Sequence, residues 1–123
     1  MTLALVFGIG VAGGLGAVAR YAQDTLVTAR YGRGVGWGTL SVNVAGSLLL
    51  GMITGAALFG GESGGWRLVL GVGFCGGYTT FSTAMVDVVT LARDRRWGAA
   101  AVNLLGTLVA TVAAAALGFW VVS

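Results

Sequence analysis

The sequence contains no proline, no histidine and no lysine, and it has a single cysteine among its 123 residues. A lone cysteine excludes an intrachain disulfide, and the lack of histidine removes the commonest general base and a frequent metal ligand. Acidic and basic residues together make up only 9% of the chain, against about 25% in a typical soluble domain. So few charges cannot cover a surface that faces water, and no hydrolytic constellation is present.

Four apolar segments instead fill most of the chain, which is 57% hydrophobic. A helix needs roughly 20 residues to cross a bilayer, and the segments that qualify are Leu3–Tyr21, Trp37–Phe59, Trp66–Leu91 and Trp97–Val122. Interfacial tryptophans belong at the ends of such segments, which is where Trp37, Trp66, Trp97 and Trp120 fall. We therefore expect an all-α membrane protein, with residues 1–123 forming one four-helix transmembrane domain.

The third segment has a polar octet near its centre, Gly76 to Thr83, with two glycines and four serine or threonine residues. Lipid offers no partners to backbone groups that such a sequence frees, so the octet must lie against protein or along a wet path. Transporters and channels build ion sites at helices broken near the midplane. We therefore expect the third helix to be broken there. Because four short helices enclose little, we also expect at least a dimer.

Polar side chains also line two other segments at four-residue spacing, which puts each set on one helix face: Thr39, Asn43 and Ser47, and Asn103, Thr107 and Thr111. One such stripe is explained by hydrogen bonding between helices, but two stripes beside a broken helix favour a polar path. Its hydroxyl and amide donors, together with Arg20, favour an anion, since cation paths use acidic rings or carbonyls. Phe81 is either a core residue or a ring whose positive edge faces the anion.

The seven basic residues are all arginine, and they are distributed unevenly between the two sides of the predicted bundle. The loops Gln23–Gly36 and Ala92–Arg96 carry five of them, namely Arg30, Arg33, Arg93, Arg95 and Arg96, whereas the side of the termini carries Arg67. The positive-inside rule places these two loops in the cytoplasm and both termini outside. Arginines at the ends of apolar runs are topology signals, so we do not expect nucleic acid as a partner.

Two stretches match the pattern GxGxxG, one from Gly8 to Gly13 and one from Gly71 to Gly76. A dinucleotide fingerprint requires a strand, a turn and a helix, with an acidic residue about 20 positions further on. Both stretches lie inside predicted spans and neither has that acid. Close helix packing explains the glycines better, and we expect no organic cofactor.

Three blocks of the chain resemble the Fluc/CrcB family of fluoride channels, which are small four-span bacterial membrane proteins. The blocks are Gly13 to Ala17 leading to Arg20 and Tyr21, Gly38 to Asn43 leading to Gly46 and Ser47, and Gly71 to Thr83. The last block is the most specific, and the resemblance covers essentially the whole chain.

The resemblance implies a passive fluoride-specific channel in the bacterial cell membrane, built as an antiparallel dimer with two pores. It implies a structural, non-transported sodium ion at the dimer centre, held by the backbone carbonyls of Gly76 and Thr79. By the same resemblance the pore residues are Asn43, Phe81, Ser82 and Thr83. Thr39, Thr107 and Thr111 match the family's polar track, with Asn103 on the same face, and Arg20 matches its arginine near the vestibule.

Two positions depart from the family pattern, because Ala84 and Asn103 stand where the family often has aromatic residues. The five-to-one arginine distribution also disfavours a chain that inserts both ways. We therefore hypothesise that the chain is half of a heterodimer of homologous subunits, although a homodimer and a non-conducting partner subunit remain alternatives. A proton-coupled multidrug exporter would need a glutamate in the first span, which this chain lacks.

Overall fold

The computed structural model describes residues 2–32, 34–61 and 64–123, so Arg33 of the arginine count lies outside the described residues. Within these ranges the chain is helical and contains no strand, which confirms the all-α prediction. The elements are α1 (Leu3–Tyr31), α2 (Trp37–Phe59), a π-helix (Leu68–Cys75), α3 (Gly76–Tyr78), α4 (Ser82–Arg93) and α5 (Trp97–Val122). Four helical spans are long and apolar enough to cross a membrane: α1, α2, Leu68–Arg93 and α5.

The second and fourth predicted segments match α2 and α5 at both ends, but the predicted end of the first segment at Tyr21 is wrong. Helix α1 continues to Tyr31, and Gly32 ends it with φ +79° and an amide that donates to the Thr28 carbonyl at 2.8 Å. The Thr28 hydroxyl in turn donates to the Asp24 carboxylate at 3.4 Å. These local bonds support a polar continuation of the helix.

Because α1 is longer than predicted, Arg20 has a different position in the helix from the predicted one. Its 29 residues extend about 44 Å at about 1.5 Å per residue, whereas the hydrocarbon core of a bilayer is about 30 Å thick. The helix therefore tilts or projects beyond the apolar layer. Arg20 lies inside α1, eleven residues before Tyr31, rather than at the end of a span.

The third span is interrupted, as the octet predicts. A π-helix leads into the single turn of α3, and the residues from Thr79 to Phe81 are not helical before α4 begins at Ser82. Thr79 has extended backbone angles, φ −85° and ψ 161°. The π-helical geometry of Leu68–Cys75 was not predicted, and such wide turns are rare and concentrated at functional sites.

Glycines bring the helices into backbone contact at two interfaces. A Cβ on Gly51 would overlap the Ala115 carbonyl oxygen, and one on Gly118 would overlap that of Leu48, so α2 and α5 touch without side chains between them. Helix α1 meets the third span in the same way, because a Cβ on Gly77 would overlap the Gly13 carbonyl oxygen. These contacts hold α5 against α2 and the broken span against α1.

Large apolar side chains on the outer faces are exposed, and among them are Phe7 at 74% and Trp120 at 72%. Fully buried side chains are few, and Val42 of α2 is the largest of them. In water such a surface would be unstable, but lipid is as apolar as these side chains. Together with four spanning helices, this surface is that of a multi-pass membrane protein.

Candidate functional site

The break in the third span is closed by the side chain of Asn43 on α2. Its amide nitrogen donates to the Thr80 carbonyl at 2.8 Å, and its oxygen accepts from the Thr80 amide at 2.9 Å. Asn43 is buried, with 9% of its surface exposed. Because a buried peptide group without partners is costly, this pair of bonds replaces the helical bonds that Thr80 has lost.

The break also leaves carbonyl oxygens without helical partners. In a continuous helix the Gly76 carbonyl would accept from the Thr80 amide, but that amide is bound to Asn43. The Thr79 carbonyl would likewise accept from the Thr83 amide, which instead donates to the Thr80 hydroxyl at 3.2 Å. Among the described residues no backbone amide bonds to either oxygen. Both are therefore available to a hard cation, which prefers oxygen ligands.

Hydroxyl groups crowd the start of α4. Thr80 accepts from the Thr83 amide and so caps the helix, and its own hydroxyl lies 3.2 Å from that of Thr83 and 3.3 Å from that of Ser82. Thr80 donates its proton to Thr83. Because Thr80 has only one hydroxyl proton, Ser82 donates in its contact with Thr80, and the hydroxyl proton of exposed Thr83 remains available to an acceptor such as an anion.

A groove of about 610 Å³ runs along the chain between α2, the third span and α5. Five of the predicted pore residues line it: Asn43, Phe81, Asn103, Thr107 and Thr111. The Phe81 ring is 78% exposed, so it is not a core residue of the single chain. The groove also exposes Gly76, at which an added Cβ would meet nothing within 4 Å.

A second, smaller cavity of about 130 Å³ gathers three other predicted residues, Arg20, Thr39 and Thr83. Asp24 lies in the same cavity, so its lining carries both signs of charge. Thr80 lines both cavities and therefore stands between them. The predicted set is thus divided between two spaces that meet at the break, and Ser82 lies exposed beside Thr80.

Asn103 and Thr111 make bonds that the spacing alone does not reveal. The Asn103 amide donates to the Val35 carbonyl, so it ties α5 to the segment before α2 while still lining the groove. The Thr111 hydroxyl donates to the Thr107 carbonyl of its own helix at 2.7 Å. Part of each side chain's hydrogen-bonding capacity is therefore used within the chain.

Comparison with known proteins identifies the family. The family model described as CrcB-like protein, Camphor Resistance (CrcB), matches residues 7–119. The chain belongs to the CrcB family. A protein of Leifsonia xyli subsp. xyli named fluoride-specific ion channel FluC 1 is 44% identical over 98% of this chain and 88% of its own length. A protein of Cutibacterium acnes named fluoride-specific ion channel FluC 2 is 49% identical over 88% of this chain and 89% of its own length.

Membership of the CrcB family confirms the resemblance inferred from the three sequence blocks, and the names of these relatives describe channels rather than enzymes. Sequence reasoning nevertheless missed two side chains that contact the site. The sequence shows Thr80 only as one member of the polar octet, although it bonds Asn43, Ser82 and Thr83. The sequence predicts a loop that starts at Gln23, although the Gln23 side chain accepts a hydrogen bond from Tyr78, 55 residues away.

Proposed function

We propose that this chain is a subunit of a fluoride-specific ion channel that passively exports fluoride and so lowers its cytoplasmic concentration. The observation that carries the proposal is the break in the third span, where hydroxyls of Ser82 and Thr83 adjoin the exposed ring of Phe81. The names of curated relatives at 44% and 49% identity support fluoride as the ion.

Fluoride is small and strongly hydrated, so a selective path must replace its water with donors at short range. The Thr83 hydroxyl supplies an O–H donor, Ser82 supplies a second when its proton turns from Thr80 to the ion, and Asn43 keeps one of its two amide protons after bonding Thr80. The positive edge of the Phe81 ring adds a further contact and narrows the path against a larger anion. Arg20 and Thr39 line the cavity on one side of the break, where the Arg20 guanidinium supplies a positive charge beside the carboxylate of Asp24.

A structural sodium ion belongs to the proposal. The Gly76 and Thr79 carbonyls would hold it, and their lack of backbone donors fits a hard cation. The ion would supply a fixed positive charge that ties two subunits together. Removing sodium during purification should then lower the fraction of dimer, and an unchanged dimer in sodium-free buffer would contradict the site.

We further propose an antiparallel dimer, since the groove beside Phe81 is open and lined on one side only by this chain. The homologous partner can be a second copy or a different subunit. A half-pore or non-conducting partner role is the second candidate, because Ala84 lines the groove where the family often has an aromatic ring. We place the assembly in the bacterial cell membrane, with both termini of this chain outside.

Fluoride efflux from liposomes that contain only this purified chain tests the proposal, with a fluoride electrode as the readout. For a self-sufficient channel we expect faster fluoride efflux than from protein-free liposomes, while chloride stays inside the liposomes. Efflux that requires co-reconstitution with a homologous subunit supports the paired form. No efflux in either preparation contradicts the channel function.

A further inference from the structure

Tyr78 is the last residue before the break, and its ring is enclosed on several sides. Only 8% of its surface is exposed, and the ring stacks on Phe74 with centroids 5.6 Å apart. Glycines on both neighbouring helices allow this position. A Cβ on Gly16 would lie 2.8 Å from the Tyr78 nitrogen, and one on Gly46 would lie 3.2 Å from its ring. The backbone at Tyr78 is therefore closely surrounded by α1 and α2.

A chain of hydrogen bonds starts at the hydroxyl of this ring. Tyr78 donates to the Gln23 side-chain oxygen, and the Gln23 amide donates to the Ser41 hydroxyl at 3.2 Å. Ser41 then donates to the Gly38 carbonyl at 2.7 Å. All three bonds run in one direction and join the third span to α1 and then to α2.

Gln23 has two roles in this series of hydrogen bonds, because its side-chain amide accepts one bond through its oxygen and donates one through its nitrogen. A leucine in its place would leave the Tyr78 hydroxyl without that acceptor in a buried position, and an unpaired buried hydroxyl is costly. The ring would then move toward another partner and take the adjoining Thr79 with it. The hydrogen bonds of Asn43 restrain only the far side, at Thr80.

The geometry points to Gln23 as a positioning residue that, through Tyr78, fixes the near side of the break while Asn43 fixes the far side. Ser82 and Thr83 follow directly, so the placement of their hydroxyls depends on both restraints. For its transport readout this inference rests on the proposed channel function. Its conformational readout does not depend on that function.

A double-mutant cycle in reconstituted liposomes tests the transport arm. Gln23→Leu and Tyr78→Phe each remove one partner, whereas the double variant removes both and leaves neither buried group unpaired. We expect Gln23→Leu to lower the fluoride rate per active channel on the order of tenfold, with the double variant recovering most of that loss. A role in folding alone would lower the number of active channels at an unchanged rate per channel.

Amide hydrogen exchange in the same full-length proteins tests the conformational arm. The Thr80 amide bonds to Asn43 and the Thr83 amide to the Thr80 hydroxyl, so both report on the break. Exchange at these amides should rise in Gln23→Leu and return toward wild type in the double variant. Thr54→Val is the matched control, because Thr54 is exposed on α2 and its hydroxyl, among the described residues, bonds to the Leu50 carbonyl of its own helix alone.

The outcomes separate the two proposals. Unchanged exchange in Gln23→Leu overturns the positioning role even if the wild type conducts fluoride. Purely additive effects of the two single variants overturn it as well. If the wild type passes no fluoride alone or with a homologous subunit, but exchange responds as expected, the channel function fails and the positioning of the break by Gln23 stands.

Discussion

The side chain of Asn43 shows why one residue type suits the break. Thr80 presents both an N–H and a C=O, and an amide offers one acceptor and two donors to match them. An aspartate keeps the acceptor but would place a carboxylate against the Thr80 carbonyl. We expect Asn43→Asp to reduce fluoride efflux on the order of tenfold or more, since hydrogen bonds to buried backbone groups are costly to lose.

Efflux from liposomes measures this change, with the amount of folded dimer determined in parallel by size-exclusion chromatography. Thr54→Val on the same helix provides the control, since its hydroxyl bonds only within α2. Wild-type efflux from Asn43→Asp would show that the two bonds to Thr80 do not maintain the path.

The ring of Phe81 allows a second test at the residue scale. Phe81→Ile keeps an apolar side chain of similar bulk but removes the ring edge with its partial positive charge. We expect lower fluoride efflux and a smaller ratio of fluoride to chloride permeability, measured in the same liposomes. Phe7→Ile is the control, because Phe7 is similarly exposed, at 74% against 78%, on α1. Equal efflux from wild type and Phe81→Ile would refute the ring-edge contact.

At the scale of helices, glycine contacts decide how closely the broken span is held. A Cβ on Gly77 would overlap the Gly13 carbonyl oxygen, whereas a Cβ on Gly14, on the same helix as Gly13, would meet nothing within 4 Å. Overpacking a tight contact costs about 1–3 kcal/mol. We therefore expect Gly77→Ala to lower the thermal midpoint of the protein in detergent, and Gly14→Ala to leave it unchanged or raise it slightly. Equal shifts for the two variants would argue against this packing.

The helices differ in how well hydropathy predicts their ends. Helices α2 and α5 contain no charged residue and are flanked by Gly36, Gly60 and Arg96, so hydropathy alone locates both ends. The last ten residues of α1 include Gln23, Asp24 and Arg30, so hydropathy ends the segment at Tyr21. What extends the helix is a set of local bonds at Asp24 and Thr28. The π-helix before the break packs closely on α1, since a Cβ on Gly73 would lie 2.8 Å from the Ile9 carbonyl oxygen, and hydropathy does not reveal such a contact.

At the scale of the whole chain, the predicted site residues were identifiable one by one but not by their arrangement. Stripes at four-residue spacing place Thr39 and Asn43 on one face, yet Thr39 lines the smaller cavity and Asn43 the larger groove. The division follows from where Thr80 meets α2, a contact across 37 residues of sequence. The Tyr78 bond to Gln23 spans 55 residues, and no local pattern encodes such distances.

Charge distribution determines how the chain enters the membrane, and this sets the kind of dimer it can form. Among the described residues Arg30, Arg93, Arg95 and Arg96 lie on one side of the bundle, and Arg67 begins the third span on the other. Arginine in short loops favours the cytoplasmic side. We expect one orientation: an alkaline phosphatase fused after Ser123 should be active and a green fluorescent protein fused there should be dark.

The control for this last prediction removes most of the charge bias within the chain. Replacing Arg93, Arg95 and Arg96 by glutamine should bring both reporters to intermediate signals, because the two sides then carry similar positive charge. If the unmodified chain already gives both signals in similar amounts, it inserts both ways and can form an antiparallel homodimer by itself. A single orientation instead requires a homologous partner of the opposite orientation, and fluoride efflux should then depend on supplying that partner.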